Sequence, residues 1–263
     1  MAVPNGDYQA AELLDAIKNH QLVLYYQPQF SLSTSAFEGI EALIRWQHPQ
    51  KGLLMPYDFI PPLEDAPVMS LVGDWVVETA CRQNKAWQDK GLTPVPVAVN
   101  VCERQLRHPQ FVAFITATLE KTGLAPCHLE LELNEKIIIH DTDEEVIQSL
   151  HRLSQLGVQI ALDDFGTGFT SLHSLKKLPI HKIKIDKTYI DNINNDTTDA
   201  AIVRAIITLA NSLNLQIVVE GVESLKQLKM LLSNELVQIQ GFYFSEPLPA
   251  DEVEQLLFLH QDK

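Results

Sequence analysis

Hydrophobic and polar positions along the chain follow two periods, and the changes between them predict an ordered series of helices and strands. Apolar residues recur at helical spacing over residues 10–19, and two β-branched and aromatic segments at 21–30 and 38–46 predict strands. The polar segment 31–36 is the only link between these strands. Because so short a link joins them, we expect the two strands to be antiparallel.

From residue 95 onward, strand and helix patterns alternate with short connections. Strands are predicted at 95–101, 129–133, 158–164, 180–185, 216–219 and 237–240, and helices at 109–121, 143–156, 199–213, 224–232 and 250–259. Two further helices, at 56–64 and 71–90, are predicted before this series. This order is typical of a parallel sheet covered by helices. About eight strands in one chain favour a closed barrel. The predicted fold is therefore α/β, a modified TIM (β/α)8 barrel with one antiparallel strand, the first.

Length and composition agree with one such domain. The 263 residues match the ~250 typical of these barrels, and we expect residues 1–8 to be an N-terminal edge and residues 9–263 to form the barrel. The formal net charge of −14 argues against nucleic-acid binding, which usually needs a basic surface. An anionic small ligand stays compatible with this charge if metal ions lie between ligand and protein.

Cysteine usage and the lack of long apolar runs predict the surroundings of the chain. Cys81, Cys102 and Cys127 show no Cys-x-x-Cys spacing, so we expect reduced thiols. The sequence has no signal peptide and no uncharged apolar run near ~18 residues. We therefore expect a cytoplasmic chain without its own membrane contact, or the cytoplasmic module of a larger sensor protein.

Polar residues stand where the predicted strands end. They are Asn100, Glu132, Asp163, Asp164, Lys184, Glu220 and Gln240, and Glu41 joins them from the second strand. Each has a plain structural alternative, such as a turn, a solvent-facing position or an ion pair. The carboxyl ends of barrel strands, however, surround the active site in this fold. Their convergence on one rim therefore indicates a functional site.

The residue types at this rim favour one chemistry. Carboxylates and an amide oxygen suit Mg²⁺ or Mn²⁺, and they do not form a thiolate or imidazole zinc site. The adjacent Asp163 and Asp164 repel each other unless cations neutralise them. Two ions ~3.5–4 Å apart lower the pKa of a bound water and offset charge on a phosphoryl group. With Lys184 as a positive donor, the set predicts phosphodiester hydrolysis.

These residues also carry a family resemblance. The chain resembles the EAL domain of bacterial cyclic di-GMP phosphodiesterases over nearly its whole length. The shared motifs are E-A-L at Glu41 to Leu43, V-N-V around Asn100, E-L-N-E at Glu132 to Glu135, D-D-F-G-T-G-F at Asp163 to Phe169, K-I-D at Lys184 to Asp186, E-G-V-E at Glu220 to Glu223 and Q-G-F at Gln240 to Phe242.

The resemblance implies a fold, a reaction and a set of metal ligands. The family folds as a modified TIM barrel and hydrolyses cyclic di-GMP to linear 5′-pGpG, using a water activated by two Mg²⁺ or Mn²⁺ ions; Ca²⁺ inhibits. By motif, the first ion would be held by Glu41, Asn100, Glu132 and Asp163. Asp163 would bridge to the second ion, which Asp164 and Glu220 would support.

Catalytic and ligand-binding roles follow from the same resemblance. Lys184 would contact the attacking water or the phosphate, Glu220 is a candidate base, and Glu135 would tether the loop after Asp164. The resemblance further implies that this loop governs metal occupancy and lies near a homodimer interface. The apolar helix predicted at 199–213 also motivates a homodimer. The substrate would be contacted by Gln27, Leu43, Arg45, Asp164 and Gln240.

Two other functions stay open from the sequence. A cyclic di-GMP receptor that does not hydrolyse its ligand usually lacks a metal ligand, and here all are present. An enolase-type barrel also uses acids and Mg²⁺, but the ordered motifs argue against it. One departure from the family falls in the acidic element, where Asn134 replaces the usual threonine while both acids are kept.

Overall fold

The computed structural model describes residues 9–138, 144–167, 172–231 and 237–260. In this part of the chain the strands are β1 (Leu22–Ser31), β2 (Phe37–His48), β3 (Gly52–Leu54), β4 (Val97–Val101), β5 (Leu129–Asn134), β6 (Gln159–Phe165), β7 (Lys182–Ile185), β8 (Gln216–Val219), β9 (Val237–Ile239) and β10 (Leu248–Pro249). Residues 1–8, the predicted N-terminal edge, lie outside the described residues, as do Gly168 and Phe169 of the motif at Asp163 to Phe169.

Helices follow most of these strands and cover the outside of the sheet. They are α1 (Ala10–Lys18), α2 (Pro56–Phe59), α3 (Val68–Asp89), α4 (Glu103–Leu106), α5 (Phe111–Thr122), α6 (Glu144–Gln155), α7 (Leu172–Lys177), α8 (Thr188–Asp191), α9 (Thr197–Ser212), α10 (Leu225–Leu231) and α11 (Ala250–His260), with short 3-10 turns at Pro61–Leu63, Pro126–His128 and Glu135–Ile138. Among the described helices, none has the length and hydrophobicity that crossing a membrane requires.

The sheet closes on itself. Strands β2, β4, β5, β6, β7, β8 and β9 pair in this order, each parallel to the next. Strand β1 completes the ring because it pairs antiparallel with β2 on one side and with β9 on the other. The predicted barrel with an antiparallel first strand is thus confirmed.

Both faces of the central strands are buried, although their sequences alternate apolar and charged residues. In β5, Leu131 and Glu132 are each 0% exposed. Since successive side chains of a strand point to opposite faces, the leucines belong to the layer between sheet and helices. The glutamates point into the barrel, where Glu132 meets Lys184 of β7. Strand β7 repeats this arrangement, with Ile183 in the outer layer.

Several short elements depart from the sequence-based expectation. The predicted helix at 56–64 is split into α2 and the turn at Pro61–Leu63, because the prolines interrupt helical hydrogen bonding. The short strands β3 and β10 and the short helices α4, α7 and α8 were not predicted. Helix α9 begins two residues earlier than expected because the Asp196 carboxylate caps it, accepting from the Thr198 and Asp199 amides.

Two smaller expectations concern α9 and the thiols. The apolar stripe of α9, with Val203, Ile206 and Ile207, packs into the core of the molecule. It therefore supplies no free apolar face for self-association. Cys81 is buried, Cys102 half-buried and Cys127 exposed, and all three are free thiols.

Candidate active site

Lys184 is the centre of the polar site at the carboxyl ends of the strands. Its side chain, contributed by β7, is 1% exposed. The Nζ atom lies 2.8 Å from Glu220 Oε1, 2.9 Å from Glu132 Oε2, 3.2 Å from Glu41 Oε2 and 3.5 Å from Asp163 Oδ1. Four acids predicted from separate motifs thus converge on one ammonium group.

Glu41 is held on several sides. Asn100, at the end of β4, donates from Nδ2 to Glu41 Oε1 at 2.9 Å. Gln240 donates from Nε2 to Glu41 Oε2, the oxygen that also faces Lys184. These contacts fix the carboxylate although Glu41 lies within β2 and not at its end. The parallel pairing of β2 with β4 places Glu41 opposite Ala98, which precedes Asn100 by two residues on the same strand.

Asp163 and Asp164 lie at an irregularity of β6. The pairing of β6 with β7 shifts register between Leu162 and Phe165, and Asp164 adopts a left-handed conformation with φ 54°. Such a bulge turns neighbouring side chains toward the same region. Oxygens of Asp163, Asp164 and Glu220 accordingly lie within 4.8 Å of one another. Asn134 at the end of β5 donates to Asp164 Oδ2 and holds it.

The ionisation of these acids is strongly shifted. Burial raises the pKa of Glu220 to about 8, and Asp163 and Glu41 add to the effect while Lys184 opposes it. Burial, followed by the charge of Glu41, also raises the pKa of Glu132 well above its usual range. Burial and the neighbouring Asp163 raise the pKa of Asp164 to about 6.

Lys184 stays charged in this surrounding. Burial alone would lower the pKa of its ammonium group, but the nearby Asp163, Glu132, Glu220 and Glu41 outweigh burial and raise that pKa well above the usual value. Burial would likewise raise the pKa of Glu41, yet Lys184 and the hydrogen bond from Gln240 lower it overall. Glu41 is therefore the acid that Lys184 keeps ionised.

The acids fit divalent cations. Among the described residues of this cluster, the carboxylates of Glu41, Glu132, Asp163 and Glu220 lie within 3.5 Å of the ammonium of Lys184. Asp164 lies beside Asp163 and Glu220, so five acids surround a single cationic side chain. Glu132 Oε1 is fully buried and has no hydrogen-bond partner. A buried carboxylate oxygen without a partner is costly unless a cation binds it. Such a set of oxygens suits Mg²⁺ or Mn²⁺.

The raised pKa of Glu220 predicts how stability depends on pH when divalent cations are chelated. The folded protein binds this proton more tightly than the unfolded chain, where the pKa is near 4.5. The resulting stabilisation is complete below pH 4.5 and is lost as pH rises through about 8. In EDTA, the melting temperature of wild type relative to Glu220→Gln should therefore fall from pH 5 to pH 9. A difference that stays constant over this interval would contradict the prediction.

Four of the residues predicted to contact a ligand are the buried glutamines Gln27 and Gln240 and, from β2, Leu43 and Arg45. Gln27 and Gln240 are buried and hydrogen-bonded to each other, with Gln240 Nε2 3.1 Å from Gln27 Oε1. Leu43 is half-buried and lines a cavity of about 900 Å³ beside Asn100. Arg45 lies over the ring of Tyr25, with its Nη1 donating to the Ile44 carbonyl at 2.8 Å and its buried Nε without a partner.

Glu135 lies behind the loop that follows β6. Its Oε2 accepts from the Gly166 amide and from Thr167 Oγ1, both at 3.2 Å. Gly166 has φ 98°, a conformation that favours glycine, so the chain turns sharply at this point. The structure thus places Glu135 at the loop and not in the acid cluster around Lys184.

Glu135→Ala should loosen this loop and with it Asp164. We expect faster hydrogen exchange at the Gly166 amide and a fall of ~10-fold or more in metal affinity, as is typical when a supporting group of a metal site is lost. Hydrogen exchange and calorimetric Mn²⁺ titration measure the two effects. Glu144→Ala removes an exposed acid of α6 and serves as the control. Unchanged exchange at Gly166 would contradict the tether.

Sequence reasoning missed a second polar layer below Lys184. Lys182 Nζ lies 2.7 Å from Glu130 Oε2 and 3.2 Å from Gln29 Oε1, and all three residues are buried. The signal was present in the sequence as E-L-E in β5 and K-I-K in β7. Residues two apart on a strand share a face, so Glu130 and Lys182 lie one layer below Glu132 and Lys184.

Comparisons with known proteins identify the family of this chain. Residues 10–247 match the family model described as EAL domain. MucR of Pseudomonas aeruginosa, a bifunctional diguanylate cyclase/cyclic di-GMP phosphodiesterase, is 40% identical over 242 residues, which are 92% of this chain and 35% of that protein. The cyclic di-GMP phosphodiesterase PdeR of Escherichia coli K12 is 39% identical over 238 residues, 90% of this chain and 36% of that protein.

A solved structure extends the likeness to three dimensions. The PaMucR phosphodiesterase in complex with c-di-GMP superimposes with a TM-score of 0.88 at 40% identity, covering 94% of this chain and all of that one. The chain spans about a third of the length of the curated relatives named above. The family model covers most of the sequence, and the motif residues converge at one end of the barrel. The chain therefore belongs to the EAL domain family.

Proposed function

We propose that this chain hydrolyses cyclic di-GMP to linear 5′-pGpG and requires Mg²⁺ or Mn²⁺. The observation that carries the proposal is the buried cluster of acids around Lys184, with an unpartnered oxygen on Glu132. Relatives that are about 40% identical to it over the aligned region are named cyclic di-GMP phosphodiesterases, and a matching structure was solved with c-di-GMP.

The residues fall into two sets that could each hold an ion. Glu41, Asn100, Glu132 and Asp163 would hold the first, and Asp163, Asp164 and Glu220 would hold the second. The second set is supported by the close approach of its three carboxylates. When bound, two such ions lower the pKa of a water and offset negative charge on the phosphoryl group.

The protein residues have separate tasks in this reaction. Lys184, held as an ammonium, would donate to the attacking water or to a phosphoryl oxygen, where charge grows in the transition state. Glu220 would accept the proton that the water loses. The water oxygen forms a bond to phosphorus while the bond from phosphorus to the 3′ oxygen breaks, and the 3′ oxygen takes a proton from solvent. The product keeps its phosphate on the 5′ oxygen.

The cavity beside the acids offers room for part of the substrate. Its volume of about 900 Å³ is within the range of small-molecule sites, and its wall includes Leu43, Asn100 and Asn134. We propose that Leu43 and Arg45 contact the ligand on this side. Gln27 and Gln240 would act from within the barrel, because both are buried.

A direct assay tests the proposed function. The purified chain is incubated with cyclic di-GMP and Mg²⁺ or Mn²⁺, and products are separated by chromatography. We expect linear pGpG in these samples, and none in EDTA or with Ca²⁺ alone. The alternative, a receptor that binds without hydrolysis, would show tight cyclic di-GMP binding and intact ligand in every sample.

Assembly and location stay predictions. We propose a homodimer whose interface lies near the loop that follows Asp164. Because the apolar stripe of α9 packs in the core, this proposal rests on the family resemblance alone. Sedimentation velocity should show a concentration-dependent dimer. A monomer at every concentration, with full activity, would remove this idea. We also propose a cytoplasmic location.

A further inference from the structure

We propose that Gln29 is a positioning residue that acts through Gln240 on Glu41, so that Lys182 and Gln29 set the hydrogen-bonding direction inside the active site. The inference rests on the proposed function only where it concerns turnover. Gln29 is 0% exposed, and it lies one layer below the acids, between the buried pair of Lys182 and Glu130 and the amide of Gln240.

The lower end of this chain of hydrogen bonds has a fixed direction. An ammonium group can only donate, so Lys182 requires the oxygen of Gln29, which lies 3.2 Å from Nζ. The amide nitrogen of Gln29 then faces upward, and it donates to Gln240 Oε1 at 3.0 Å. Because one side of the Gln240 amide is now an acceptor, its nitrogen must point the other way.

The upper end demands the same direction. Gln240 Nε2 donates to Gln27 Oε1 at 3.1 Å and to Glu41 Oε2, and a carboxylate oxygen can only accept. Gln27 in turn donates from Nε2 to the Ser245 carbonyl at 3.0 Å. A glutamine amide can flip its oxygen and nitrogen, but here a donor-only group at one end and acceptor-only groups at the other allow one orientation throughout.

The backbone is shaped to hold Gln29 in this place. Gly39 of β2 is paired with Gln29 of β1, and a Cβ atom at Gly39 would lie 2.5 Å from Gln29 Oε1. A side chain at this position would push the Gln29 oxygen away from Lys182. A substitution at Gly39 therefore disturbs the chain of hydrogen bonds from Lys182 through Gln29 and Gln240 to Glu41, here called the relay, without removing any of its hydrogen-bonding groups.

The role gives Gln29 an effect that packing alone does not. Without the donor from Gln29, the buried oxygen of Gln240 loses its partner, and a flipped amide would present this oxygen to Glu41. Glu41 would lose a hydrogen-bond donor, and its negative carboxylate would face the partial negative charge of the Gln240 oxygen. We therefore expect turnover to fall ~10-fold in Gln29→Met and in Gly39→Ala, as for a lost supporting group of a metal site.

A double-mutant cycle tests this path. Gln240→Met should lower turnover, and adding Gln29→Met to it should cause no further loss, because the relay is already broken. Nitrogen-15 NMR of the Gln240 side-chain amide supplies a readout independent of activity. We expect slowly exchanging protons in wild type and fast exchange in Gln29→Met and Gly39→Ala. Melting temperatures report any general loss of stability.

The outcomes separate this inference from the proposed function. Additive losses in the cycle, or Gln240 amide protons that are unchanged in both variants, would overturn the relay. If wild type does not hydrolyse cyclic di-GMP, the proposed function fails, and the amide protons still decide the relay. Gln29→Met and Gly39→Ala change different residues, so failure of one variant to fold leaves the other to decide.

Discussion

Replacing Glu132 by alanine is expected to abolish hydrolysis of cyclic di-GMP, with a fall of at least ~100-fold in turnover while the fold persists. Loss of a supporting group alone costs up to ~100-fold at metal sites, and Glu132 is proposed as a direct ligand. Its Oε1 atom is buried without a partner, so the residue is placed for binding a cation. Its other oxygen, Oε2, lies 2.9 Å from Lys184 Nζ, which has three further carboxylate neighbours in the metal-free fold.

The same result is expected for Glu41→Ala and Asn100→Ala, since each removes one oxygen ligand from the shared site. Calorimetric titration with Mn²⁺ should show weaker binding in all three variants. Glu132→Gln is the informative companion, because it keeps the volume of the side chain and removes its charge. Glu120→Ala, which changes an exposed residue of α5, controls for the loss of an acid elsewhere.

The thermal stability of Glu132→Ala, with and without metal ions, is a further prediction. Burial and Glu41 raise the pKa of Glu132, so the metal-free fold holds this acid at a cost. In EDTA, we expect the variant to melt no lower than wild type, while added Mn²⁺ should stabilise wild type far more than the variant. Wild-type turnover and metal affinity in all three alanine variants would show that the ligand assignment is wrong.

The order of strands and helices was predictable because apolar periodicity depends on local sequence. Strand-to-helix alternation predicted a parallel barrel, and the short link at 31–36 predicted the antiparallel hairpin. Strands β3 and β10 were not predicted, because segments of three and two residues are too short to show a hydrophobic period. Helix α4, with four residues, escaped for the same reason.

The direction in which the charged residues of β5 and β7 point could not be predicted from either strand by itself. Alternation such as L-E-L-E-L usually means that the leucines face the core and the glutamates face water. In a closed barrel the second face is also interior, and Glu130 and Glu132 are buried there against Lys182 and Lys184. Only the partner lysines on another strand make this burial acceptable.

The rim of the site was predictable, but its support was not. Strand ends identified Asn100, Glu132 and Lys184, because position along a strand is a local property. Gln29 carries no chemistry that distinguishes it in the sequence, and its role depends on contacts with residues 153 and 211 positions away. From the sequence, Asn134 was only a replacement of the usual threonine, yet its amide donates to Asp164.

Lys184→Met is expected to separate catalysis from binding. The ammonium lies within 3.5 Å of four carboxylates, and its proposed work is on the attacking water and on charge that develops in the transition state. We therefore expect kcat to fall by ~10²-fold or more, on the scale of losing one preorganised electrostatic group. Binding of cyclic di-GMP, measured with Ca²⁺ to suppress hydrolysis, should change far less, because we propose that binding rests on Arg45, Leu43 and the metal ions.

The melting temperature of the metal-free protein provides a second test of Lys184. Removing Lys184 leaves Glu41, Glu132 and Glu220 buried together without a counter-charge, so the variant should melt lower than wild type in EDTA. Saturating Mn²⁺ should recover most of this loss, since cations replace the missing charge, without restoring kcat. Lys229→Met removes an exposed lysine of α10 and controls for net charge. Equal losses of binding and turnover in Lys184→Met would make Lys184 a ground-state anchor, whereas tight binding without turnover in wild type would identify a receptor.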